Sequence, residues 1–349
     1  MKTLRSGLNE QVKTEVLSTE EVCHHIDKFN KSHVEIPNQR RYNPRACKLP
    51  SIQSSNTVVG SMDVGALYPN CKCEKSMKAI EEATKSCGIE YNNIDKQFLC
   101  KFVSVITRGK SGSIEIDQFL QIPKRQTTLN SYLKRRGENQ FQGPALRNFV
   151  DLSPQQVRQL LGIASARTVK NVMMNHFFTI NGKLFRQKNG SPIGLDLSVE
   201  IASIYMTLWD KKFLATLRRL GIQVGLYKRY VDDTVVILNG INPGWYYCPK
   251  AKKMCHDMNH RNVGQEEDAR TFGVLREIAN SLDTDIQMTV EVPSDFADRR
   301  LPVLDLALWV NDNQVQFSFF KKPMSSPYVN IWRSAISKKT KRDSLLQGV

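Results

Sequence analysis

Two periodicities organise this chain. Leu197, Ile201, Ile204 and Leu208 recur at helical spacing and predict a helix over 197–220 with one core-facing stripe; Phe272, Leu275, Ile278 and Leu282 predict another over 272–282. Ile286, Met288, Val290 and Val292 alternate instead, which is the period of a strand. Residues 57–63, 226–231 and 234–238 are short apolar runs that read as core strands. Residues 301–310 and 315–323 read as a strand pair turning at Asn311, Asp312 and Asn313. Helix formers fill 70–85 and stop near Gly88, so the stretch from 57 reads as strand, bend closed by Pro69, helix. A further helix is expected near 16–22, opening on a Ser18/Glu21 capping box, whereas 41–50 reads as a loop. Strands, helices and hairpins in this succession predict an α+β fold.

Carboxylates interrupt the apolar pattern at two points. Asp232 and Asp233 fall between the runs 226–231 and 234–238, at the turn of a hairpin, and Asp63 ends the run 57–63. An aspartate pair in a turn is commonly turn chemistry alone, because aspartate suits turn backbone and water solvates it. Two like charges held on a rigid turn nevertheless raise each other's pKa and become tolerable beneath a divalent cation. With Asp63 arriving from a second strand, the three carboxylates suit Mg2+, which takes few protein ligands and fills its octahedron with water and phosphate oxygens. Two such ions roughly 3.5–4 Å apart can clamp the attacking and leaving oxygens of a phosphoryl transfer.

The residues around these carboxylates form three motifs in order. The first is Asp63-Val64-Gly65-Ala66-Leu67-Tyr68 and the third is Tyr230-Val231-Asp232-Asp233. Between them stands Gln187-Lys188-Asn189-Gly190-Ser191-Pro192-Ile193-Gly194, followed by Leu197-Ser198 and Ala202-Ser203-Ile204-Tyr205-Met206. Together they resemble the first, second and third catalytic motifs of reverse transcriptases, a strong signal where any one motif alone would be weak. The similarity runs from about residue 61 to the end of the chain. Its last part, from Leu301 to Leu306 and from Phe317 to Pro323, resembles the end of the palm in Penelope-like retroelements. After Gly194 the usual Ser-Pro is replaced by Leu195-Asp196 and a later proline by Val199, changes that suit the helix that follows.

The resemblance implies a right-hand polymerase palm, an antiparallel sheet with packed helices, together with partial fingers and the start of a thumb. Residues 1–56 would be a fingers remnant or linker. Residues 57–323 would be the palm, with a fingers-like segment at about 96–185 and a loop insertion at 240–265, and 324–349 would begin a truncated thumb. Asp63 and Asp232 would be the main ligands of two Mg2+ ions, with Mn2+ as a substitute, Asp233 a weaker ligand and the Val64 carbonyl a further one. Tyr68 would exclude a ribose 2′-hydroxyl. Gln187 and Gly190 would line the nucleotide pocket, glycine because bare backbone permits close approach, and Lys321 and Lys322 would support the primer terminus. The implied activity is RNA-directed DNA synthesis in a retroelement, with RNA template, DNA primer and dNTP as partners.

Other readings of the same residues stay open. Tyr68 also reads as a half-buried aromatic beside Leu67, Gly190 to Pro192 as an ordinary turn, and Asp305 as a strand residue with a structural partner rather than a fourth ligand. A viral-type RNA-dependent RNA polymerase would carry another aspartate four or five residues after the first, where Leu67 and Tyr68 stand. A truncated retroelement copy could bind nucleic acid without polymerising. The basic strands expected upstream of Asp63 are not recognised in the roughly sixty residues there, and no triphosphate-gripping lysine or arginine is assigned.

Charge points to a nucleic-acid partner. The 50 Lys and Arg against 34 Asp and Glu give a formal +16, and the excess is clustered. Nine basic residues stand against two acidic ones over 96–137, and seven against one over 321–349. Such runs contact phosphates and fix register without reading sequence. Eight cysteines without framework spacing, an N terminus without a signal-peptide core and no long apolar run predict an intracellular chain, cytoplasmic or nuclear, with reduced thiols and no membrane span. Cys248, Cys255, His256 and His260 crowd one stretch but match no standard zinc spacing. Arg108-Gly109-Lys110-Ser111 lacks the earlier glycine of a phosphate-binding loop, Ser104 standing in its place.

Overall fold

The computed structural model describes residues 1–34, 50–86, 99, 103, 153–192 and 195–320. Along the chain run α1 (Lys2–Val12), α2 (Thr19–Val34), β1 (Gln53–Val64), α3 (Leu67–Asn70), α4 (Cys73–Ser86) and α5 (Pro154–Met174). There follow β2 (Phe177–Ile180), β3 (Lys183–Arg186), α6 (Asp196–Arg219), β4 (Val224–Tyr230) and β5 (Asp233–Ile241). The described part closes with β6 (Trp245–Cys248), β7 (Lys253–His256), α7 (Glu267–Asn280), β8 (Met288–Glu291), β9 (Leu301–Val303), β10 (Leu306–Asn311) and β11 (Gln314–Phe319).

The centre is a four-stranded antiparallel sheet in the order β4-β5-β1-β8. Alternation sends Val58, Met62 and Val64 of β1, with Val236 and Leu238 of β5, to one face, against Trp209, Phe213 and Leu217 of α6 and Phe272, Leu275 and Ile278 of α7. The opposite face carries Val59, Leu226, Val235 and Ile237. It meets Val22, Ile26 and Phe29 of α2 and a second sheet, β11-β10-β9, through Leu301, Leu306, Leu308 and Val315. A sheet covered on both faces needs near-continuous apolar strands, which is why these runs stand out in the sequence. A third cluster ties α1, α4, α5 and α6 together through Leu4, Leu8, Ile80, Val169, Met173, Ile201 and Ile204. Each large side chain fully buried in these clusters contributes about 1.5–3 kcal/mol of transfer free energy.

The mixed α+β expectation and the principal helices hold, and several local readings change. The segment before Asp63 is built into the core: α1, absent from the sequence reading, packs through Leu4 and Leu8. The second helix starts at Thr19 and runs to Val34, with the Ser18 hydroxyl accepting from the Glu21 amide (3.3 Å). The helix expected over 70–85 divides at Cys71, giving α3 with Pro69 in its first turn and then α4. Residues 240–265 are not simply a loop. They hold the β6–β7 hairpin, whose Trp245 and Tyr247 alternate inward and join the main core. Asp305 lies in the turn between β9 and β10 rather than in a strand, and its carboxylate accepts from the Thr19 hydroxyl (3.4 Å). Both basic runs, with Lys321 and Lys322, lie outside the described residues.

Candidate active site

Asp63 stands one residue from the end of β1. Met62, the last residue of β1 paired with β5, lies opposite Thr234, the neighbour of Asp233. On the other side Asp63 pairs with Thr289 of β8. Tyr230 pairs with Asp233, so Val231 and Asp232 alone form the hairpin turn. That turn needs positive φ at its first position, and Val231 supplies it at 57°. A β-branched residue there is a backbone outlier costing about 1–3 kcal/mol.

The geometry brings Asp63 and Asp232 together. Partial burial, and then the Asp232 charge, push the Asp63 carboxyl above its ordinary range, against a bond from the Val64 amide that favours ionisation. The Asp232 charge also reaches Tyr68: burial first and Asp232 second raise its phenol. Two carboxylates repelling each other at the edge of a sheet are a suitable donor set for a divalent cation, which relieves the repulsion. Among the described residues no three His, Cys, Asp or Glu side chains converge to hold a metal.

The second motif, described from Gln187 to Pro192, is held at three points, one of them on this edge. The Gln187 amide donates to the His176 carbonyl (2.9 Å), the Ser191 amide to the Tyr68 carbonyl (2.8 Å), and the Ser198 hydroxyl of α6 to the Pro192 carbonyl. The Gln187 side chain donates to the Asn189 carbonyl (2.9 Å), stiffening the approach to Gly190. Gly190 is buried at φ 78°, and a Cβ on it would lie 2.8 Å from Pro69 Cα and 2.9 Å from the Pro69 and Tyr68 carbonyl oxygens. The glycine therefore seats the second motif directly on the backbone of the first, a reason the sequence reading did not give.

The Cys-His cluster is explained by packing. On the β6–β7 hairpin, His256 pairs with Trp245 and meets its ring edge-on (5.1 Å between centroids), and His260 stacks flat on Tyr246 (4.1 Å).

Sequence reasoning missed the charged residues behind the turn. Arg229 and Asp210 are both fully buried and form an ion pair (2.8 Å). Asp210 also accepts from the Tyr227 (2.8 Å) and Thr14 (2.9 Å) hydroxyls. Glu15, from the segment between α1 and α2, accepts from Arg5 (2.6 Å) and Ser203 (2.7 Å). Burial pushes the Glu15 carboxyl up, but those bonds and the nearby Arg229 charge outweigh it and hold Glu15 below the usual carboxylate range. An aspartate directly after the apolar pair Leu208-Trp209 on a core-facing helix and an arginine inside a strand of the core were the available signal, since buried charges occur in pairs.

No family model matches the chain. Over 228 residues, 60% of the chain, it is 20% identical to the telomerase reverse transcriptase of Oxytricha trifallax, and it spans 19% of that protein's length. This is a distant relationship to a telomerase reverse transcriptase. Among solved structures, telomerase from Candida albicans in complex with a TWJ fragment of telomeric RNA matches with a TM-score of 0.46 at 12% identity, covering 90% of this chain and 37% of that one. Apo telomerase from Candida tropicalis matches with a TM-score of 0.44 at 13% identity, covering 99% of this chain and 44% of that one. No helix among the described residues is long and apolar enough to cross a membrane.

Proposed function

We propose that this chain carries the nucleotidyl-transfer site of an RNA-directed DNA polymerase, extending a DNA primer on an RNA template with dNTPs. The observation that carries the reading is that Asp63 and Asp232, from β1 and the β4–β5 turn, lie near enough for the Asp232 charge to raise both the Asp63 carboxyl and the Tyr68 phenol. The distant sequence relationship to a telomerase reverse transcriptase supports it. Asp63 and Asp232 would hold the divalent cation, with Asp233 beside them. When bound, Mg2+ supplies charge neutralisation at the transferred phosphate and at the primer 3′-hydroxyl. Tyr68 then borders the sugar of the incoming nucleotide, and Gly190 fixes the Tyr68–Pro69 backbone that carries it. The stretches from Leu301 to Leu306 and from Phe317 to Pro323 resemble the end of the palm in Penelope-like retroelements, and we read the chain as part of such an element or of a close ally.

A second reading is a chain that binds nucleic acid without polymerising. One experiment separates the two. Primer extension on an RNA template with Mg2+ or Mn2+ is expected for the wild type and lost in Asp232→Asn. Equal incorporation by both proteins, or none by either, refutes the polymerase reading for this chain.

A further inference from the structure

The least expected feature beside the two carboxylates is the arginine that precedes their turn. Arg229 has a fully buried side chain one residue before Tyr230, and its three guanidinium nitrogens are all used. Nε donates to Asp210 (2.8 Å), Nη2 to the Thr207 hydroxyl (3.0 Å) and Nη1 to the Val231 carbonyl (2.8 Å). Asp210 and Thr207 lie on α6, the helix that follows the second motif, so this one side chain ties that helix to the turn carrying Asp232. Arg229's backbone is held as firmly. Its amide donates to the Thr14 carbonyl and its carbonyl accepts from the Val16 amide (2.9 Å each), a short parallel bridge with the segment between α1 and α2.

Burying an arginine is costly unless it is paired and hydrogen-bonded, and an apolar replacement of such a pair is often at least as stable. Stability alone therefore does not explain this network. What the network does is grip the carbonyl of Val231, the residue held at φ 57°. A strained conformation persists only where its surroundings over-determine it. Without the Nη1 bond, the turn can relax toward backbone that valine prefers, and Asp232 would then swing relative to Asp63.

We infer that Arg229 is a positioning residue: its guanidinium, anchored by Asp210 and Thr207, fixes the Val231 carbonyl and so holds Asp232 beside Asp63 for cation binding. This rests on the reading of those two aspartates as metal ligands. It predicts that the need for Arg229 comes from the strain at Val231, and that glycine at 231, which adopts positive φ freely, removes that need.

The test is Mn2+ binding followed by electron paramagnetic resonance, which reads the site whether or not the chain polymerises. The proteins are the full chain and its Asp232→Asn, Arg229→Lys, Thr207→Val, Val231→Gly and Arg229→Lys/Val231→Gly variants, each with its thermal midpoint. Arg229→Lys keeps the charge and loses the fork. It is expected to weaken Mn2+ binding about tenfold, as for residues that orient metal ligands, and Val231→Gly in that background is expected to restore most of the loss. In primer extension the same variant should raise the Mg2+ concentration for half-maximal rate and leave KM for dNTP unchanged.

A folded Arg229→Lys that binds Mn2+ like the wild type overturns the inference, and so does a defect that Val231→Gly does not relieve. Should Arg229→Lys fail to fold, Thr207→Val loosens the same guanidinium and keeps the ion pair; unchanged Mn2+ binding there is equally fatal. Wild-type binding without polymerisation, with the variants weakened as stated, sinks the polymerase reading and leaves the positioning role standing. Binding by Asp232→Asn equal to that of the wild type removes both.

Discussion

Replacing Gly190 by alanine tests the seating of the second motif on the first, and Gly182 provides its control. Both glycines have positive φ, 78° and 73°. Their surroundings differ: nothing lies within 4 Å of a Cβ at Gly182, whereas one at Gly190 meets three backbone atoms of Tyr68 and Pro69 at 2.8–2.9 Å. The conformational cost of an L-residue in this region is about 1–2 kcal/mol and applies to both sites. Contacts below 3 Å with backbone cannot be relieved by a rotamer change, so Gly190→Ala must displace the Tyr68–Pro69 segment. Overpacking of that kind adds about 1–3 kcal/mol.

Gly182→Ala is thus expected to cost about 1–2 kcal/mol and Gly190→Ala about 2–5 kcal/mol once overpacking is added. Urea unfolding of the three proteins measures this as a shift of midpoint at constant slope. Because the displaced backbone carries Tyr68, Gly190→Ala should also raise KM for dNTP, and Gly182→Ala should not. Equal destabilisation by the two alanines would refute the reasoning, since it would mean that the second motif does not bear on the first.

Asp63→Asn should separate stability from activity. Burial and the Asp232 charge raise the Asp63 carboxyl above its ordinary 3.8. Its contribution to stability is therefore full below that value and lost as pH rises through the raised one. The variant should melt above the wild type at neutral pH, lose the slope of thermal midpoint across that acidic window, and extend no primer. Asp210→Ala should destabilise by about 3–5 kcal/mol in urea unfolding, the cost of stranding a buried charge, with part recovered in Asp210→Leu/Arg229→Met. Tyr68→Ala should admit rNTP in competition assays against dNTP; unchanged discrimination would remove its proposed sugar-excluding role.

The sequence showed best what depends on local periodicity. Strands covered on both faces are near-continuously apolar, so most of 57–63 and all of 234–238 were legible, and the stripe on α6 was legible because a core-facing helix repeats. Aspartates at strand ends stood out against that background. Two hairpins were written in the chain but not read. Asn181-Gly182, both at positive φ between apolar flanks, is a strong short-range turn signal for β2–β3. In β6, buried Trp245 and Tyr247 alternate with half-buried Tyr246 and Cys248, the period of a strand with one face on the core. In α1, Leu4 and Leu8 were too few apolar residues to mark a helix against a polar stretch, and their burial depends on α4, α5 and α6, which lie far off in sequence.

The buried charges were illegible for a different reason. Lys228, Arg229 and Tyr230 look like the wet edge of a hairpin, and nothing in three residues says which side chain turns inward. Strand alternation does: Leu226 and Lys228 point one way, Tyr227 and Arg229 the other, and it is the second pair that faces Asp210 on α6. An inward arginine is tolerable only where an inward acid exists, and Asp210 is the acid among Tyr205, Met206, Trp209 and Phe213. The pairing could have been sought by complement, one buried plus for one buried minus. Its partners are 19 residues apart, and the Glu15 strap that closes it lies nearly 200 residues away from Glu200 and Ser203. Asp63 and Asp232 can be proposed as metal ligands from short motifs; what holds them in place is distributed over contacts that no short motif contains.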